Sequence, residues 1–133
     1  MIAPRKRSGP NVVDSSAWLE YFADGAGAPH FAAPIEAVAR LVVPAICLLE
    51  VFKVVLRQRG ESDALQAAAL MQQGTVVDLD ATLALAAAWH RLPLADSIVY
   101  ATAMRVGGVV WTQDEDFEGL PDVAYFPKPA RTS

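Results

Sequence analysis

The sequence predicts an α/β fold, a three-layer α/β/α sandwich with a mainly parallel central sheet, and three observations carry that reading. Short apolar runs rich in β-branched residues alternate along the whole chain with stretches whose apolar residues recur at helical spacing. The runs are continuous rather than alternating, which marks strands covered on both faces. Successive runs are joined through helical stretches, the connection that parallel neighbours need. The chain has 133 residues, 53% of them hydrophobic, enough apolar mass for one domain with a full core.

In order, NVVD from Asn11 predicts the first strand, and SSAWLEYF a helix with serine at its start. Asp24 to Pro29 holds two glycines and a proline and predicts a loop; PIEAVAR follows as a short amphipathic helix before the second strand, LVVP. Pro44 suits a helix's first turn and opens AICLLEVFKVVLRQR, which Gly60 ends. Ser62 or Asp63 is expected to cap ALQAAALMQQ, closed by Gly74. TVVDL is the third strand, and Asp80 caps the alanine-rich helix of ATLALAAAWHRL. After Pro93, ADSIVYATAMRVGG predicts a helix ending in glycines, then GVVWT a fourth strand and VAYF a fifth.

Charged or polar residues interrupt every long apolar run, and MIAPRKRSGPN lacks the apolar core of a signal peptide, so a soluble, cytoplasmic protein is expected, with no membrane partner. Residues 1–10 read as a disordered or cloning-derived tail and 128–133 as a short C-terminal one. Cys47 is the single cysteine; it permits no internal disulfide, fits a reducing interior, and is expected only to pack. The net charge of −4 argues at first against a polyanionic ligand, but much of that charge is carried by acids that fall in one region of the predicted fold. Cations bound among them would reverse the local sign.

In an open parallel sheet, ligands bind beyond the carboxyl ends of the strands. Asp14 directly follows the first strand, where it also suits the N-cap of the next helix. Glu50 lies six residues inside the Pro44 helix among Leu48, Leu49, Val51 and Phe52, a poor place for an unpaired carboxylate; Lys53 offers it only an ordinary surface pair. Asp96 stands in the first turn of an otherwise apolar helix, where capping is again an alternative. Asp114 and Asp116 follow the fourth strand, and a turn role accounts for one of them rather than both. Hard divalent cations, Mg²⁺ or Mn²⁺, take carboxylate and water oxygens and need neither cysteine nor a histidine cluster. The hydroxyls of Ser15, Ser16, Ser97 and Thr112 are placed to orient such ligands, Ser16 and Thr112 foremost. Glu115 is expected to face water, as are His30 and His90, which share no context. Arg57, Arg59, Arg91 and Arg105 are candidates for phosphate contact or simply solvated helix-end cations. The apolar faces of Ala64 to Met71 and Leu83 to Trp89 read first as core, with partner seams as the alternative. No glycine-rich nucleotide loop occurs.

Four segments together, VVDSSAWLEYF, ICLLEVFKVV, LPLADSIVYATA and WTQDEDF, resemble PIN-domain ribonucleases, most closely the VapC-type toxins of VapBC toxin–antitoxin pairs. The resemblance spans Asn11 to about Phe126 and gives a domain over 11–127. It implies an Mg²⁺- or Mn²⁺-dependent endoribonuclease that hydrolyses structured RNA such as tRNA or rRNA with metal-activated water. A cognate VapB-type antitoxin would neutralise it, and a homodimer is common. By motif, Asp14, Glu50, Asp96 and Asp114 would be the catalytic and metal-binding quartet, with Asp116 as an additional metal ligand. The chain departs from the family in lacking a glycine near Arg91 or Pro93 and in its longer start. Two other readings stay open on the residues alone. A haloacid-dehalogenase-like phosphatase would want an acid where Ser16 stands, and a receiver-like phospho-acceptor domain would want a late lysine at the site, for which Lys128, between prolines beyond the last strand, is poorly placed.

Overall fold

The first strand, β1 (Asn11–Val13), is buried along its whole length, and so is β2 (Leu41–Pro44), which places both at the centre of a sheet. In the computed structural model, which describes residues 9–130, they are joined by β3 (Thr75–Val77), β4 (Val109–Thr112) and β5 (Val123–Tyr125). The order is β3-β2-β1-β4-β5 and every neighbouring pair is parallel. The sequence therefore understated the regularity: the sheet is wholly parallel. It overstated the burial of TVVDL, since β3 is an edge strand with Thr75 exposed.

Among the described residues, six α-helices complete the sandwich: α1 (Ser15–Phe22), α2 (Ala28–Glu36), α3 (Ala45–Arg59), α4 (Glu61–Met71), α5 (Ala81–Ala87) and α6 (Leu94–Val106). Four boundaries differ from expectation. The expected loop up to Pro29 gives way to α2 at Ala28, because Pro29 sits in the first turn, where its missing N–H costs nothing. Helix α2 then runs through Pro34 and stops at Glu36, and Val38–Arg40 tightens into a 3-10 turn. Helix α4 begins at Glu61, with Gly60 rather than Ser62 or Asp63 as its N-cap; φ of 97° at Gly60 allows the abrupt reversal between α3 and α4. Helix α5 ends at Ala87, short of the expected Leu92.

Of the expected tails, residues 1–8 and 131–133 lie outside the described residues. Gly9 and Pro10 belong to the fold: the Gly9 carbonyl accepts from Arg40 Nη2 at 2.6 Å and the Pro10 carbonyl from the Val109 N–H at 2.9 Å. The main core gathers Val12, Val13, Trp18, Phe31, Val43, Val51 and Val110 around the central strands. A smaller one seals α5 onto α6 through Leu83, Ala87, Ile98 and Ala101.

The topology decides where polar groups meet. The chain moves outward from β1 to β2 and β3, then crosses back through α5 and α6 to place β4 on the other side of β1. The ends of β1 and β4 therefore flank the point where strand order reverses, the natural crevice of such a sheet. Helix α6 leads into β4 through Gly107, a left-handed C-cap with φ of 64°, so it runs against the strand direction and brings its N-terminus back to that crevice. Beyond β4, a 3-10 turn at Glu115–Phe117 is pinned by Phe117, which is fully buried, and the Tyr100 hydroxyl on α6 donates to the Pro121 carbonyl at 2.9 Å. Replacing Phe117 with alanine should cost about 3–5 kcal/mol of unfolding free energy in urea titration, as for other buried aromatic truncations. A loss below about 1 kcal/mol would show that the ring does not anchor the turn.

Candidate metal centre

Asp14 follows β1 directly and caps α1: its Oδ2 accepts from the Ser16 N–H at 3.3 Å. The same oxygen accepts from Ser16 Oγ at 2.7 Å and Thr112 Oγ1 at 2.9 Å. Capping and site-building are thus one act here, and no protein donor bonds Oδ1 among the described residues. Each hydroxyl is itself fixed by the β4 end: Ser16 Oγ accepts from the Gln113 N–H at 3.3 Å and Thr112 Oγ1 from the Asp114 N–H at 2.9 Å. Two hydroxyls therefore stitch the first strand end to the fourth. Both residues were expected beside the acids as ligand-orienting hydroxyls, and both donate to one Asp14 oxygen.

Asp114 continues the pattern, accepting at Oδ1 from the Asp116 N–H at 2.9 Å, which folds the acids of this turn back toward the crevice. Asp96 arrives from the other direction on α6. It is not a cap, since Pro93 occupies that position and no side chain bonds the helix start. Asp96, Asp114 and Asp116 each offer an oxygen within 4.8 Å of the other two. Asp14 and Glu50 stand outside that tight group. Glu50 is held by α1: Ser15 Oγ donates to Glu50 Oε1 at 2.8 Å. Among the described residues, no lysine, arginine or histidine forms an ion pair with any of these five acids; the ion pairs present are Arg59 with Asp63 and Arg105 with Asp80.

The electrostatic consequence is strong. Burial raises the Asp14 carboxyl above its usual range, opposed by the Ser16 and Thr112 hydrogen bonds and reinforced by Asp114. Asp96 is also raised, to about 8, by burial first, then by the charges of Asp114 and Asp14, a carboxyl–carboxyl hydrogen bond with Asp114, and the charge of Asp116. Four carboxyls that repel each other, all oxygen donors with no sulfur or imidazole among them, fit a hard divalent cation such as Mg²⁺ or Mn²⁺. Without one, protons are the available counter-charge.

Several other expectations are redrawn by the geometry. Ser97 donates to the Leu92 carbonyl at 2.9 Å and holds the turn before α6 rather than an acid. Arg105, a candidate phosphate contact, lies at the far end of α6 from Asp96 and makes a bidentate pair with Asp80, at 2.9 and 3.0 Å. His30 is not merely solvated: its ring stacks on Phe126 with centroids 4.4 Å apart. Cys47 does pack in the core, and burial, with Asp14 and Glu50 nearby, pushes its thiol up. Gln113 was overlooked. It is 8% exposed and its N–H fixes Ser16; a polar residue between Thr112 and the acids was the available signal. Lys128 is better placed than its position between prolines implied, since it lines a cavity together with Asp114, Glu115 and Asp116.

Residues 12–123 match the family model described as PIN domain. Comparison with curated protein sequences matches none of them. Among solved structures, a toxin–antitoxin complex from Klebsiella pneumoniae is 20% identical with a TM-score of 0.70, covering 87% of this chain and 96% of that one. The Sarcin-Ricin loop cleaving toxin VapC20 of Mycobacterium tuberculosis is 22% identical with a TM-score of 0.70, covering 85% and 96%. DNA-bound VapBC from Salmonella typhimurium is 16% identical with a TM-score of 0.69, covering 90% and 98%. These likenesses are likenesses of fold.

The raised carboxyls fix the sign of a pH effect. A folded-state pKa above the unfolded value means the folded chain holds more protons, so stability is greatest at low pH within this window and falls as pH rises from the ordinary carboxylate range toward about 8. The metal-free protein should melt at a lower temperature at pH 8 than at pH 5, and Mn²⁺ should raise the melting temperature more at pH 8. Equal stabilisation at both pH values in differential scanning fluorimetry would mean that proton and cation do not compete for one site.

Proposed function

The chain belongs to the PIN-domain family, and on that premise we propose that it is a metal-dependent endoribonuclease of the VapC toxin type, hydrolysing phosphodiester bonds of structured RNA such as tRNA or rRNA. The observation that carries the reading is the meeting of Asp96, Asp114 and Asp116 at the strand-order reversal, with Asp96 raised by burial and then by the charges of Asp114 and Asp14.

Asp14, Asp96, Asp114 and Asp116 would hold Mg²⁺ or Mn²⁺, and Glu50, which accepts a hydrogen bond from Ser15, would be the remaining acid of the expected quartet. Such an ion supplies Lewis acidity at the phosphodiester and makes water a competent nucleophile near neutral pH. The protein's own contribution is preorganisation. Ser16 and Thr112 occupy Asp14 Oδ2, so the carboxylate cannot rotate to take other partners and its Oδ1 remains to be used. The Asp116 N–H does the same for Asp114 Oδ1. No side chain here is poised as a covalent nucleophile: Cys47 is buried with its thiol pushed up, and the serines near the acids donate to them.

A cognate antitoxin as partner is supported by the toxin–antitoxin complexes among the structural neighbours. A homodimer is supported by an apolar surface on and beyond α5, where Leu85, Trp89 and Leu94 are 71%, 87% and 82% exposed. A cytoplasmic setting follows from the same reading and suits the unpaired Cys47.

The test is cleavage of total RNA in Mg²⁺ or Mn²⁺ by the parent chain and by Asp14→Asn and Asp96→Asn. Each variant should lose about two orders of magnitude or more in rate, the scale on which removing one preorganised charged partner acts, and EDTA should abolish cleavage by the parent. Variants that cut as fast as the parent, or cleavage indifferent to EDTA, would end the proposal.

A further inference from the structure

Two cavities of about 430 Å³ each meet beside the acids. One is lined by Asp114, Glu115 and Asp116; the other runs past Ser16 between α1 and α3 to Gln58 and Arg59. Gln113 and Lys128 line both, so they form the sill between the acidic cavity and the groove. Gln113 is immobilised, buried and bonded through its N–H to Ser16. Lys128 is exposed and forms no ion pair among the described residues, although three carboxylates share its cavity.

The backbone around Lys128 is well held for a segment beyond the last strand. Two residues earlier, the Phe126 N–H donates to the Thr112 carbonyl at 2.9 Å. The Phe126 ring packs against His30, Phe31 and Trp111, with centroids 4.4, 5.8 and 6.1 Å away. Pro127 and Pro129 flank the lysine, fixing φ on either side and confining Lys128 to extended backbone. A cation on a stiff support, at the junction of a groove with a polyanion-cleaving centre, has an evident use. A nucleic-acid strand crossing this sill brings its phosphates past Glu115 and Asp116, both exposed, and needs a positive charge there to offset their repulsion.

We propose that Lys128 is a substrate-binding residue that holds a phosphate of the RNA strand adjacent to the one cut, on the sill shared by the acidic cavity and the α1–α3 groove. The inference rests on the nuclease reading above. Binding of a fluorescently labelled RNA hairpin, followed by anisotropy in Ca²⁺ over a range of salt, tests it with the parent, Lys128→Met and Lys128→Arg, while cleavage in Mn²⁺ is followed on the same preparations. Lys128→Met should bind about three- to tenfold more weakly, and its log affinity should fall less steeply with log salt by about 0.7, the loss of one phosphate contact to a single strand. KM should rise with kcat little changed, Lys128→Arg should restore binding, and melting temperatures should agree. A Lys128→Met variant with the parent's affinity and salt slope, from a parent that cleaves, overturns the role of Lys128 and leaves the nuclease reading standing. A parent that neither binds nor cuts RNA overturns both.

Discussion

Everything around the crevice is organised by one cost: carboxylates are held close together and partly out of water. Like charges at this separation disfavour full ionisation, and burial adds to the effect for Asp14, which is 2% exposed, and Asp96, which is 9% exposed. A folded protein keeps such an arrangement only where other interactions determine it. Here they are local and specific. Ser16 and Thr112 converge on one Asp14 oxygen, Thr112 receives the Asp114 amide, and Asp114 receives the Asp116 amide. Four hydrogen bonds thus carry the geometry from β1 across β4 and into the following turn.

These bonds form because the hydrophobic scaffold brings the ends together first. β1 lies between β2 and β4 with all its residues buried, so the position of its last residue is set by packing on both sides. Asp96 needs a different device. Its helix, α6, is buried over most of its length and fastened to the acidic turn by the Tyr100 hydroxyl on the Pro121 carbonyl. Tyr100 stands one helical turn after Asp96, so the bond fixes the spacing between the two halves of the acid cluster rather than either half alone. Phe117 performs the corresponding task from within the turn, being wholly buried beneath exposed Glu115 and Asp116.

Much of this was legible in the residues. The strands announce themselves as apolar β-branched runs, and acids placed just after them fall at strand ends in any parallel arrangement. Asp14 and Asp114 were readable for that reason. Asp96 was readable as an acid in an apolar helix, though not its orientation, which follows from the reversal at Gly107. What the residues hid depends on distance in three dimensions. Ser97 resembles Ser16 as a serine beside an acid, yet it turns to the Leu92 carbonyl because the chain before α6 has unpaired backbone to satisfy. Arg105 looks like any helix-end cation until Asp80, 25 residues away, meets it with both carboxylate oxygens. Lys128 looked misplaced because proline on both sides suggests a chain leaving the fold; the Phe126 tether, invisible in sequence, keeps the segment beside the end of β4.

The same accounting bears on the alternatives that the residues left open. A phosphatase of the haloacid-dehalogenase kind needs an acid two positions after the strand-end aspartate, and in this chain that position is Ser16, whose hydroxyl donates to Asp14 at 2.7 Å. The donor lowers the basicity of Asp14 and occupies one of its oxygens, which suits a fixed ligand and blunts a nucleophile. A receiver-like domain needs a lysine close to the phospho-accepting aspartate. Lys128 shares a cavity with Asp114 and Asp116, but forms no ion pair with Asp14 or with either of them among the described residues. What remains is a set of oxygen donors whose mutual repulsion a bound cation would lower, with Asp14 and Asp114 held by hydrogen bonds from Ser16, Thr112 and the Asp116 N–H. Groups fixed in advance need no rearrangement when charge nearby changes, whereas carboxylates free to turn would have to reorganise first.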